Sequence, residues 1–259
     1  MHNPTWTRVW YAARAVMAAL IAAAIVRQLA ASIGTALDRD RDVVTTVVNF
    51  FSFFTILSNT AAAVVLVWAA VWFFTRGSRS GSGAAKPVEP SGLALALACV
   101  STYMIITGIV YNLLLRNIVL PQGSEPVWWS NEVLHLIAPL FLLADVFVGT
   151  LRRALPWRAL WAVVAFPVLW VVYTMLRGPL ITNPVSGEPF WYPYPFLNPN
   201  APGGWPSVIV YVVGISVAML VVGAFVVWWG RRIAAKGHAA GAVDDVEGEA
   251  SLRPSVLPD

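Results

Sequence analysis

The sequence predicts an all-α, polytopic integral membrane protein with six transmembrane helices and cytoplasmic N- and C-termini. Three observations carry that prediction: the composition, the apolar runs, and the cations and tryptophans that flank them. Of 259 residues, 58% are hydrophobic and 12% are charged, and the mean hydropathy is +0.70. Soluble domains carry about a quarter charged residues, so a water-soluble fold is excluded. Long apolar runs without alternation also exclude a β-barrel. The net charge of +4 comes from scattered basic residues, so no nucleic-acid surface is implied. The single cysteine, Cys99, excludes an intrachain disulfide framework and a Cys-based zinc site.

A helix crosses a ~30 Å hydrocarbon core with about 20 apolar residues. Six segments reach or approach that length: 9–31, 47–74, 93–115, 133–150, 159–176 and 208–229. The first also fits a cleavable signal, with Arg8 and Arg14 ahead of an apolar run and small residues near Ala31 and Ser32. Its apolar stretch outlasts a usual signal core, which favours a retained span. Residues 77–91, rich in Gly, Ser and Pro, read as a flexible linker. Residues 177–206 hold eight of the eighteen prolines and six aromatics, a composition for fixed turns. Residues 1–232 thus form the membrane domain, and 233–259, acidic in the middle, form a disordered cytoplasmic tail.

Orientation follows from Lys and Arg near the span ends. With the N-terminus inside, Arg8, Arg76, Arg79, Lys86, Arg152, Arg153, Arg158, Arg231, Arg232, Lys236 and Arg253 are cytoplasmic, while Arg39, Arg41, Arg116 and Arg177 are outside. That is eleven against four of seventeen cations. Twelve of the thirteen Trp lie near span ends or in loops, as an interfacial belt requires, and Trp170 alone is mid-span.

Polar groups inside apolar spans are costly and mark the place to look for chemistry. At ~100° per residue, Asn49, Ser52, Thr55 and Asn59 share one face of the second span within roughly 120°. Hydrogen bonding between helices, or back to their own helix, accounts for such a face without any chemistry. Asn131 and His135 form an i, i+4 pair at the start of the fourth span. His135 is a buried neutral histidine or a proton-transfer group. Thr55 lies at most ~12 Å and His135 ~3 Å below the outer boundary at 1.5 Å per residue. Tyr111, Asn112, Arg116, Arg27 and Arg177 reach the same level. Asp145 lies about 15 Å deeper, where Arg152 or Arg153 is the expected partner.

The runs 53–56 (Phe-Phe-Thr-Ile), 129–135 (Trp-Ser-Asn-Glu-Val-Leu-His) and 191–197 (Trp-Tyr-Pro-Tyr-Pro-Phe-Leu) resemble the androgen-induced and androgen-dependent TFPI-regulating family. These are six-pass membrane proteins with bacterial relatives, and the resemblance runs over roughly residues 8–232 by span order. The studied animal members are intramembrane threonine hydrolases that cleave fatty acid esters of hydroxy fatty acids with a Thr and a His. The resemblance implies Thr55 as nucleophile and His135 as its partner, and Asn131 matches the family's Asn-x-x-x-His spacing. Glu132 stands where the animal proteins carry a second His.

The expected function is therefore hydrolysis of a lipid ester. His135 removes the Thr55 hydroxyl proton. Asn59, Asn112 or Asn131 donates to the oxyanion, and Arg27 or Arg177 holds a substrate carboxylate. Tyr192 and Tyr194 are further substrate or oxyanion residues, on a segment, 189–199, that either covers the outer mouth or anchors at the interface. Glu132 orients His135 only if the local helix turns it inward. No cofactor, metal or nucleic acid is expected; the partners are membrane lipids or lipid esters, and the location is the bacterial plasma membrane. A non-catalytic lipid-binding protein is the second reading. A small-solute transporter is the third, since no span carries the paired midplane breaks of inverted repeats.

Overall fold

The structure is a computed structural model that describes residues 4–78, 87–118, 121 and 123–251, with 236–251 described by backbone alone. Among the described residues every regular element is helical. Six helices are long and apolar enough to cross a membrane: Pro4–Asp38, Phe54–Gly77, Ser91–Leu115, Trp128–Val148, Ala159–Leu180 and Gly204–Ala235. Their number and order match the expectation. The linker expected at 77–91 lies mostly outside the described residues. In the tail read as disordered, the last helix continues to Ser251, and residues 252–259 lie outside the described part.

Helix α1 (Pro4–Asp38) is followed by a short helix α2 (Val43–Phe50), which Asp42 caps by accepting from the Thr45 N–H at 2.6 Å. The chain then breaks at 51–53 and starts again as α3 (Phe54–Trp72). The second span is therefore not one helix from residue 47, and the shared face computed for Asn49, Ser52, Thr55 and Asn59 does not exist. The break persists because other elements satisfy its freed backbone and side-chain groups. The Trp170 indole N–H donates to the Ser52 carbonyl at 3.0 Å, and the Ser52 hydroxyl lies 2.9 Å from the Tyr173 hydroxyl. Trp170, the one tryptophan that did not fit the interfacial belt, is thus a partner of this break.

Helix α4 (Ser91–Val110) is central and touches α3, α6, α7 and α8. It closes in a π turn, Tyr111–Leu115. The fourth span is composite: α5 (Trp128–Glu132), a π turn Val133–Ile137, and α6 (Ala138–Val148). A small residue sets the α4–α6 approach, because a Cβ on Gly108 would stand 2.8 Å from Pro139. Helices α7 (Ala159–Arg177) and α8 (Gly204–Ser251) pack on α4 and on each other, with much of their apolar surface turned outward. Between them residues 181–203 form a strap, in which the Trp191 N–H donates to the Gly178 carbonyl at 2.9 Å and its indole N–H to the Pro121 carbonyl at 3.0 Å.

Candidate functional site

A cavity of about 270 Å³ opens among α1, the α2–α3 break, the Tyr111–Leu115 turn, the start of the fourth span and the strap. Thr55, His135, Asn131, Tyr111, Arg116 and Tyr194 all stand on its wall. The two residues singled out in the sequence, on spans two and four, are therefore brought to one space. No hydrogen bond joins them directly; each is held by other groups.

The helix break positions Thr55. It is the second residue of α3, so its backbone N–H has no partner within the helix. The Tyr194 hydroxyl accepts from that N–H at 3.2 Å and lies 3.3 Å from the Thr55 hydroxyl. A tyrosine from the strap thus does what a Ser or Asp does at an ordinary helix start. Phe53 and Trp170 rings pack around it, and burial raises the Tyr194 pKa above that of a free phenol.

The π turn positions His135. Its Nδ1 lies 2.9 Å from the Asn131 carbonyl, and a carbonyl only accepts, so Nδ1 carries the proton and Nε2 of the neutral ring is a lone-pair acceptor. The ring stacks on Tyr111 with centroids 3.7 Å apart. The Tyr111 hydroxyl accepts from the Asn131 amide at 2.7 Å. Asn131 and His135 therefore do face one way, but they meet through the backbone carbonyl, and the Asn131 side chain steadies the ring's stacking partner instead.

The other two asparagines are committed to the backbone. The Asn59 amide donates to the Thr55 and Leu134 carbonyls at 2.9 and 3.1 Å, and the Asn112 amide to the Gly108 and His135 carbonyls at 2.8 and 3.0 Å. An amide has two N–H bonds, so neither has one left for an oxyanion. Both instead tie α3 and α4 to the π turn at 133–137, whose altered ladder exposes those carbonyls. Asn131 retains a second N–H.

The proposed carboxylate-binding arginines are elsewhere. Arg27 is exposed on α1 and lines neither this cavity nor the groove described below. Arg177 donates to Asn49 at 2.7 Å and stacks on Trp191, outside both. Tyr192 also lies outside them, its ring pressed onto Gly178. Glu132 makes no hydrogen bond to His135 and holds Arg116 by two bonds of 2.9 and 3.1 Å. That pairing raises the Arg116 pKa.

Near the opposite end of the bundle is a buried charge cluster that sequence reasoning found only in part. Asp145 does pair with Arg152, at 2.8 Å, but it also accepts from Arg14 at 2.8 and 3.1 Å and from the Trp10 indole at 2.5 Å. Glu89 accepts from Arg14 at 3.0 Å and from the Tyr11 hydroxyl at 2.8 Å. Gln28 was likewise missed. Its side-chain oxygen accepts from the Val127 N–H at 2.9 Å, and Ser32 lies 2.9 Å from Ser124, so α1 secures the segment leading into the fourth span. The available signal was a polar residue one helical turn from another, at 28 and 32, inside an otherwise apolar run.

Behind Thr55 lies a second space, an apolar groove of about 490 Å³ between α4, α7 and α8. Thr55, Tyr111, Leu115 and Tyr194 belong to both walls. Among the described residues no three His, Cys, Asp or Glu side chains converge as a metal site would need. Among the described residues the molecule thus has six helices long and apolar enough to cross a membrane, with a polar cavity joined to an apolar groove. Compared with known proteins, it matches no family model, no curated protein and no solved structure.

Proposed function

We propose that the protein is an intramembrane lipid-ester hydrolase with Thr55 as nucleophile and His135 as general base, in a bacterial plasma membrane with both termini cytoplasmic. The observation that carries this reading is that Thr55 and His135, whose Nδ1 is taken by the Asn131 carbonyl, line one cavity. The resemblance of the 53–56, 129–135 and 191–197 runs to the six-pass threonine hydrolases supports the same pair.

In the reaction, the Thr55 hydroxyl passes its proton to His135 Nε2 as the oxygen attacks the ester carbonyl carbon. The negative charge developing on the carbonyl oxygen is met by the Tyr194 hydroxyl, whose oxygen is held by the Thr55 N–H, and by the remaining Asn131 N–H. The ester C–O bond breaks and the departing alkoxide takes the proton from His135. Water, deprotonated by His135, then attacks the acyl-threonine; the acid leaves and Thr55 recovers its proton. The Arg27 and Arg177 roles are not retained, since neither residue lines the cavity.

The test is hydrolysis of a p-nitrophenyl acyl ester panel and labelling by a fluorophosphonate, using purified protein. Thr55→Ala and His135→Ala are expected to abolish both, and Tyr194→Phe to slow turnover by roughly 10²-fold, as for loss of one oxyanion donor. Labelling that survives Thr55→Ala and His135→Ala would refute the pair. Binding of lipid without turnover in the wild type would favour the lipid-binding reading.

A further inference from the structure

The polar cavity and the apolar groove meet at Thr55, which makes the shape and charge of both spaces a description of one ligand. The groove wall runs along α7 from Trp161 to Val172, about 16 Å at 1.5 Å per residue, or roughly half a ~30 Å hydrocarbon core. Val164, Val171, Val212 and Met219 give it a carbon surface. Trp161 and Val168 are exposed on the outside of the bundle, so the groove opens laterally, where lipid chains stand.

The polar end carries the opposite of an anion site. Arg116 is the one cation on the cavity wall among the described residues. Glu132 holds both of its terminal nitrogens and Asn112 its Nε, at 2.9 to 3.1 Å. Glu125 stands on the same wall and makes no ion pair among the described residues. With Arg116 neutralised by Glu132, Glu125 is the unbalanced charge on the wall, and a carboxylate brought here meets no free cation and a like charge.

Resting on the reading of this cavity as a lipid-ester site, we infer that its ligand is a single-chain lipid ester with an uncharged head group. The chain lies in the groove between α4, α7 and α8, and the ester stands at Thr55. Esters carrying a free carboxylate beside the scissile bond are excluded, because the wall offers Glu125 and no free cation.

The test uses two non-hydrolysable dodecyl ethers that differ only at the far end of a short linker, one ending in a hydroxyl and the other in a carboxylate. They compete at neutral pH for a tritiated copy of the hydroxyl ether on full-length protein in phosphatidylcholine nanodiscs. The hydroxyl ether is expected to compete at least tenfold better, and Glu132→Gln, which frees Arg116, to narrow that gap. A carboxylate ether that competes equally or better, or no saturable binding of either, overturns the inference. The same measurement on Thr55→Ala protein separates this result from the fate of the Thr–His mechanism, which the hydrolysis assay decides alone.

Discussion

Arg14 is fully buried in a helix long and apolar enough to cross a membrane, and it is neutralised by Glu89 and Asp145, which are as deeply buried. Removing one member of such a cluster strands the opposite charges. Arg14→Met is therefore expected to lower unfolding stability by about 3–5 kcal/mol, read as a drop in Tm of the solubilised protein. The proposed hydrolysis, in the fraction that remains folded, should keep its Thr55 dependence, because Arg14 does not line the Thr55 cavity. The cluster was half legible. Asp145 and Arg152 are seven residues apart, within local reach, whereas Arg14 is 131 residues from Asp145 and 75 from Glu89. Local patterning identifies a costly charge but not its distant partner. The same holds at the site: Thr55 and His135 stand out as polar residues in apolar runs, while the Tyr194 hydroxyl reaches Thr55 across 139 residues.

At the scale of elements, the features that build the site are departures from regular helix. The break at 51–53 puts Thr55 on a helix N-terminus, and the π turns at 111–115 and 133–137 carry Tyr111 and His135. Hydropathy averages across such irregularities, so a single span from 47 to 74 was the natural expectation. The strap depends on another local feature. A Cβ on Gly178 would stand 2.2 Å from the Tyr192 ring, so the ring seats only against glycine. Gly178→Ala is expected to displace Tyr192 and weaken the neighbouring Trp191 to Gly178 bond, costing about 1–3 kcal/mol. It should also lower esterase activity by loosening Tyr194 from Thr55. Faster proteolysis between residues 189 and 199 is the direct measurement; a protection pattern like the wild type would show that the strap is held without this contact.

At the scale of the whole molecule, α4 is the packed centre, while α7 and α8 leave much of their apolar surface outward. That arrangement places the groove at the outward-facing apolar side of the bundle and the polar cavity toward the strap. The proposed cytoplasmic termini would turn the strap and cavity outward and set the Arg14 cluster near the inner boundary. Reporter fusions test this: activity of a periplasm-dependent reporter is expected at Gly187 and none at Gly241, and the reverse pattern would invert the orientation.

The sequence by itself determined the number and order of the spans, because the cost of placing charge and backbone in hydrocarbon is a property of each segment. It also marked Thr55 and His135 as residues whose presence in such segments calls for a partner or a use. Only the tertiary structure decided which polar groups are spent and which are free. It committed Asn59 and Asn112 to carbonyls, sent Arg27 and Arg177 away from the cavity, closed Arg116 with Glu132, and engaged His135 Nδ1 with the Asn131 carbonyl on the wall of the space that Thr55 shares. The physical reason is that a hydrogen-bonding group in a low-dielectric interior takes the partner that packing brings within reach, and packing joins residues that lie far apart along the chain.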